Sequence, residues 1–213
     1  MDQLFTIAGN ATYLTLAVTA LWGAYCGVIA WMLVGKKAFK TEAAQNEFLD
    51  QVDALLARGD FNGVCAMCED DPRAVPQLVF LAVANRNMGM AKVRSLVQDR
   101  FQRDVLMSLE FYMTWVLTMI KTGPMWGLLG TVLGMIGAFN QLAAADTVKA
   151  SSLAGNISLA LLTTAAGLMI AIPLMMVVSG VNTRIRKLED LVGNGLSRFF
   201  DTLQSSSVGA MRK

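Results

Sequence analysis

The sequence predicts an all-α integral membrane protein. Three transmembrane helices, N-out and C-in, are expected, with long helices extending into a cytoplasmic helical domain. Three observations carry this. From Thr122 to Thr183, sixty-two residues contain only two charges, Asp146 and Lys149. A second uncharged run extends from Ala11 to Val34. Of the 18 Lys and Arg residues, 11 lie between Lys36 and Lys121 and 6 between Arg184 and Lys213, with Lys149 alone elsewhere. About twenty apolar residues in a helix cross the ~30 Å hydrocarbon core. Basic residues close to spans stay on the cytoplasmic side, which places both basic segments there. A chain that is 54% hydrophobic with 14 Met and a mean hydropathy of +0.48 is too apolar for an ordinary soluble domain.

Residues 1–35 form the periplasmic N-terminus and first span. Asp2 precedes the apolar run, and Lys36, Lys37 and Lys40 follow it at once. A cleaved signal peptide has the opposite polarity, so a retained span is expected. Trp22 lies near mid-span and is expected to pack against another helix. Residues 36–112 form a cytoplasmic helical domain. Thr41 to Arg58 places Phe48, Leu49, Val52, Leu55 and Leu56 on one face, and Gly59 stops it. Pro72, Pro76 and Gly89 then punctuate short helical stretches. A zinc site at Cys65 and Cys68 would need two further soft ligands, and only Cys26, inside the first span, remains in a chain without His, so zinc and redox roles give way to small buried side chains. Val75 to Ala84 is apolar but too short to span. From Met90 no Gly or Pro intervenes before Gly123, so one long helix is expected to rise into the membrane, with Pro124 kinking it or marking its entry.

Residues 113–183 form a transmembrane hairpin with a short periplasmic loop near 143–151. Its first helix carries Gly123, Gly127, Gly130, Gly134 and Gly137, and glycines at such spacing let helix backbones approach closely. Its second carries Ser152, Asn156, Ala160, Thr163 or Thr164, Gly167 and Ala171 along one face. Residues 184–213 form a cytoplasmic amphipathic helix with Ile185, Leu188, Val192, Leu196, Phe199 and Leu203 inward, then a loose tail, SSSVGAMRK.

The chemistry left inside the membrane is neutral. Apart from Lys121 at the boundary, no span carries an ionisable side chain of the kind proton relays use. Hydroxyls and amides remain: Thr131 in one hairpin helix, and Asn156, Ser158, Thr163 and Thr164 in the other. A membrane Thr commonly satisfies itself on its own i−4 carbonyl. Thr131 and Thr164 nevertheless lie at mid-span within small-residue faces, where both helices can contribute to one polar seam. Hydroxyls hydrate or coordinate a cation but do not titrate near neutral pH. A chain of this kind that moves protons needs a partner's carboxylate. Nothing points to nucleic acid, since acids match the basic residues segment by segment.

GPMWGLLGTVLGMIGAF, followed after a short loop by ISLALLTTAAGLMIAIPLMM, closely resembles the membrane core of the MotA/TolQ/ExbB proton-channel family, nearest the ExbB/TolQ branch. GDFNGVCAMCED is similar to a helical hairpin of ExbB-like proteins. The resemblance implies a homopentamer around two copies of a single-span ExbD/TolR-type partner whose transmembrane Asp carries the ion. It implies ion-pathway roles for Thr131 and Thr164, with Thr163 beside them. Gly127, Gly130, Gly134, Gly167 and Pro173 are expected at helix-packing positions. Asn156 and Ser158 are candidate pore- or partner-facing polar groups. ExbB and TolQ have Glu five residues before the second threonine, where this chain has Leu159.

The function expected is therefore an ExbB/TolQ-like subunit of an inner-membrane ion-driven motor, not an enzyme. Such a motor converts proton motive force into mechanical work for outer-membrane transport or envelope maintenance. Competing readings are a sodium-driven stator-like subunit of the MotA type and a non-conducting membrane scaffold. A solute carrier is disfavoured because three spans lack repeated halves. No cofactor or metal is expected. The Thr163–Thr164 doublet resembles the sodium-associated pattern of the flagellar branch, yet ExbB-like proteins also accept Thr there, and protons are expected over sodium.

Overall fold

In a computed structural model, residues 2–144 and 150–211 are described, and within them no strand occurs. Asp146 and Lys149 lie outside the described residues, as does the side chain of Ser152. Seven α-helices follow in order: α1 (Asp2–Lys37), α2 (Glu42–Ala57), α3 (Phe61–Cys68), α4 (Ala74–Ala84), α5 (Met90–Phe101), α6 (Met107–Ala144) and α7 (Ala150–Met211). Three of them are long and apolar enough to cross a membrane. The chain clusters into two compact units, one of residues 1–29 and 112–180, the other of residues 30–111 and 181–213.

In the first unit, α1 lies against the α6–α7 pair. A methyl placed on Gly23 would fall 2.7 Å from Leu174 Cδ1, and one on Gly27 3.2 Å from Val177 Cγ1, so α1 approaches α7 at its own glycines. Trp22 meets Trp115 of α6 edge to face, with centroids 6.1 Å apart. Outward-facing side chains such as Leu128, Leu161, Leu168 and Met176 are exposed and apolar. That surface suits helices whose backbone polar groups are satisfied internally.

The second unit buries an apolar core of aliphatic and aromatic side chains. Phe48, Leu49, Val52 and Leu56 of α2 pack inward, with Val64 of α3, Val79 of α4 and Phe199 of α7 also buried. Local signals set the ends of these helices. Thr41 caps α2 by accepting from Ala44 N–H, and Asp60 caps α3 by accepting from Gly63 N–H at 2.9 Å. Gly59 and Gly89 take positive φ, 74° and 87°, which glycine adopts without a Cβ penalty. Gln45 is buried among the apolar residues of α2. Its Nε2 donates to the Leu191 carbonyl at 2.6 Å, and Gly195 leaves the space for it. Arg198 of α7 reaches Asp53 at 2.6 Å and also pairs with Asp50. The Arg73 guanidinium grips Asp71 and lies 3.9 Å over the Phe39 ring centroid. That grip holds the Asp71 carboxyl below its usual range.

Three local expectations need correction. Pro76 does not bound a helix: α4 begins at Ala74, and Pro76 sits in its first turn, where an N–H has no intrahelical acceptor anyway. The segment after Met90 is helical throughout but not uniformly α, because Gln102–Leu106 forms a π-helical turn. The Ser108 hydroxyl donates toward the Asp104 and Val105 carbonyls beside it. The tail is not loose up to Met211, since α7 continues through the serines. Ser is a moderate helix former, and an established helix extends at low cost.

Burial, reinforced by Cys65 and Asp71, pushes the Cys68 thiol up to about 12. Because the folded value is raised, the neutral thiol contributes stability below the ordinary thiol range, and that contribution is lost as pH rises towards 12. Cys68 should therefore resist alkylation at pH 8 in the folded protein and react once the chain is unfolded. Rapid modification of Cys68 in the native protein, followed by peptide mass spectrometry, would show that the CxxC is a reactive site.

Candidate functional site

The first unit brings α6 and α7 together backbone to backbone. A methyl on Gly167 would lie 2.6 Å from the Gly123 carbonyl oxygen, and one on Gly127 would lie 2.7 Å from the Thr163 carbonyl oxygen. A methyl on Gly134 would lie 2.6 Å from Ala160 Cβ. These contacts put Gly123 opposite Gly167, Gly127 opposite Thr163 and Thr164, and Gly134 opposite Ala160, an antiparallel pairing along the hairpin. Gly130 has a different neighbourhood, because a methyl there would lie 2.6 Å from Thr163 Oγ1 and 3.0 Å from Thr12 Cγ2 of α1. Gly137 has open space around it.

At the centre of this contact Thr131, Thr163 and Thr164 converge. The Thr131 and Thr164 hydroxyls share a hydrogen bond across the two helices. The Thr164 hydroxyl also reaches the Gly127 carbonyl at 3.1 Å, and the Thr131 hydroxyl reaches the Ala160 carbonyl at 3.3 Å. Gly127 lies four residues before Thr131, and Ala160 four before Thr164. Each threonine thus reaches the carbonyl one turn before the other threonine, and the helices are cross-braced. Thr131 also contacts its own Gly127 carbonyl at 3.2 Å, the ordinary self-satisfied arrangement. Thr163 is 4% exposed and bonds to the Ala160 carbonyl at 2.7 Å and the Gly127 carbonyl at 3.0 Å. Three hydroxyl protons therefore share two main-chain carbonyls as acceptors, and Thr131 and Thr164 can also serve each other. Alternative partners lie within reach of each hydroxyl, so bonds can be exchanged by rotating side chains without moving a helix.

The other candidates lie away from this cluster. Asn156 donates to Gln141 Oε1 at 2.7 Å, two turns from Thr163. Ser158 is exposed on α7, and so is Leu159, at 58%. Pro173 stands on the exposed side of α7. A cleft of about 380 Å³ opens beside the cluster, with Thr12, Thr163, Gly134, Gln141 and Asn156 in its wall. Thr12, buried at 3% exposure, was not legible as part of this region from apolar patterning. The available signal was the recurrence of Thr12, Thr15 and Thr19 on one stripe of α1.

A family match extends over residues 75–193, which include the glycine and threonine contacts between α6 and α7. The chain belongs to the MotA/TolQ/ExbB proton channel family. It is 33% identical over 102 residues to the Tol-Pal system protein TolQ of Haemophilus influenzae, covering 48% of this chain and 45% of that protein. It is 34% identical over 122 residues to the biopolymer transport protein ExbB of Xanthomonas campestris, covering 54% of this chain and 48% of that one. A putative ExbB-like biopolymer transport protein of Helicobacter pylori is 35% identical over 91 residues, covering 43% of this chain and 59% of that one. The matches thus span about half the length of the TolQ and ExbB relatives. They place the chain with the ExbB/TolQ branch of a membrane-protein family, in accord with its three apolar helices.

Gly127→Ala should force α6 and α7 apart, because the new methyl meets main-chain atoms rather than a movable side chain. The expected cost is about 1–3 kcal/mol of hairpin stability. Gly137→Ala, with open space at the site, should be neutral. Protease resistance of the two variants in detergent distinguishes them, and equal behaviour would contradict the close contact at Gly127.

Proposed function

We propose that this chain is a ring-forming subunit of an ion-driven motor in a bacterial inner membrane, surrounding a single-span partner of the ExbD/TolR type. In this reading the N-terminus is periplasmic and residues 36–112 and 184–213 are cytoplasmic, as their basic residues favour. A homopentamer enclosing two partner copies, as the family resemblance implies, is the arrangement proposed. The observation that carries the reading is the Thr131–Thr163–Thr164 cluster on the Gly127 and Ala160 carbonyls, set between apolar helix segments without an ionisable side chain.

Such a cluster cannot itself exchange a proton near neutral pH, because a threonine hydroxyl neither gains nor loses one there. It can meet a carboxylate that does. When a partner Asp arrives charged, Thr164 or Thr131 turns its hydroxyl from a helix carbonyl to the carboxylate, replacing one hydrogen bond by a stronger charge-assisted one. When that Asp is protonated, the hydroxyl returns to the Gly127 or Ala160 carbonyl. The exchange alters how tightly the partner is held without leaving a buried polar group unsatisfied. One charge falling through 100 mV releases about 2.3 kcal/mol, enough to bias a small set of such contacts. Thr163 is buried deepest, and carbonyls already occupy its hydroxyl. That hydrogen bonding fits a packing role for Thr163, and a proton is the coupled ion proposed. Leu159, where ExbB and TolQ have Glu, is exposed and apolar, so in this chain that position presents lipid or a neighbouring helix with hydrocarbon.

A non-conducting scaffold is the competing reading, favoured by the fact that the threonine hydroxyls already have acceptors. Thr131→Val and Thr164→Val separate the two. A methyl replaces each hydroxyl at nearly unchanged volume, so assembly with the partner should survive while ion-coupled work falls by at least an order of magnitude. Retained work in both variants would support the scaffold.

A further inference from the structure

In the second unit, the Arg184 guanidinium of α7 lies 3.7 Å over the centroid of the Trp31 ring of α1. Trp31 is 40% exposed and Arg184 is exposed, so the stack stands at the surface. Lys36 follows Trp31 by five residues on α1, and Arg186 and Lys187 follow Arg184 on α7, all three exposed. Neither residues 31–41 nor residues 179–188 contain an Asp or Glu, although they hold six Lys and Arg. Arg73, Arg100 and Arg198 elsewhere in this unit are paired with carboxylates. Among the described residues, Lys36, Lys40, Arg184, Arg186 and Lys187 form no ion pair. Lys37 rests on the Gln77 amide oxygen at 3.1 Å.

We propose that Trp31, Arg184 and Lys36 form a binding site for the phosphodiester of an anionic phospholipid. The stack explains why a discrete site is built rather than a diffuse charge. A guanidinium lying flat on an indole uses its face, leaving its in-plane N–H donors available for a forked contact with two phosphate oxygens. Trp31 and Met32, the latter 51% exposed, give apolar and amphipathic surface next to the cations, so an acyl chain can lie along α1 while its phosphate meets Arg184. Dissolved phosphate would use the cations but gain nothing from Trp31 and Met32. A zwitterionic lipid would bring its own ammonium against them. The chemistry therefore favours a lipid with net negative charge, and clustered bases at the membrane boundary are a recognised form of such a site.

The full chain reconstituted in nanodiscs that mix phosphatidylcholine with phosphatidylglycerol supplies the test, with bound lipid counted by native mass spectrometry. The wild type should retain phosphatidylglycerol selectively. Arg184→Gln and Lys36→Gln should each weaken retention about fivefold, the effect of one cation at an anionic surface. Arg184→Lys, which keeps the charge but not the planar fork, should also weaken it. Lys92→Gln, at an exposed cation on α5, should leave retention unchanged. Equal loss in Lys92→Gln would overturn the site in favour of diffuse attraction. So would full retention in Arg184→Gln, provided its circular dichroism is native. Displacement of the lipid by inorganic phosphate alone at matched ionic strength would overturn the lipid assignment. Equal retention of phosphatidylcholine would overturn the charge selectivity.

Discussion

The approach of α6 to α7 at Gly127 is the constraint on which the membrane unit depends. With no side chain at that position, the Gly127 carbonyl lies beside Thr163 and Thr164, and a methyl there would be 2.7 Å from the Thr163 carbonyl oxygen. Because the backbones are this close, hydroxyls on one helix reach carbonyls on the other. A hydroxyl stranded in hydrocarbon costs roughly 1–3 kcal/mol, so the contact and the hydrogen bonds stabilise one another. At Gly127 the space of the missing methyl is met by the main chain of Thr163 and Thr164, and at Gly130 by the Thr163 hydroxyl.

Much of this was readable from residue spacing. Glycines four apart on one helix and a small polar stripe on the next indicated close packing and a seam at mid-span. Thr131 and Thr164 do share a hydrogen bond across the two helices. Periodicity reveals a face but not a register between faces, so the cross-bracing of Thr131 to the Ala160 carbonyl and of Thr164 to the Gly127 carbonyl could not be read. Thr12 escaped notice because threonines on an apolar helix, such as Thr15 and Thr19 on the same stripe, commonly bond to their own helix carbonyls. Gln45 escaped for a related reason: its acceptor, Leu191, lies 146 residues away, and no local pattern records it. The π-helical turn at Gln102–Leu106 has no composition of its own, since a shift from i→i+4 to i→i+5 bonding is decided by what the helix packs against. Helix ends with strong local chemistry were legible: Gly59 at the end of α2 and Gly89 before α5 both occupy positive φ.

The second unit follows a different logic. It is held by an apolar core and by pairings of α2 with α7, in which Gln45 bonds to a helix carbonyl and Arg198 meets Asp50 and Asp53. The ion pairs are partly exposed and contribute little individually, whereas burial of residues such as Leu49 and Phe199 carries most of the stability. Specific polar contacts orient the unit's helices, and apolar area supplies the energy.

The central claim is that the threonine cluster handles an ion only when a partner supplies the titrating carboxylate. Ion flux into liposomes measures this most directly, with the purified protein reconstituted alone and together with an ExbD/TolR-type protein under an imposed pH gradient. Flux is expected at background level for the protein alone and well above it for the pair. Sustained flux from the protein alone would contradict the claim, because the apolar segments 11–34, 123–142 and 153–178 contain no Asp, Glu, Lys, Arg or His to carry a proton.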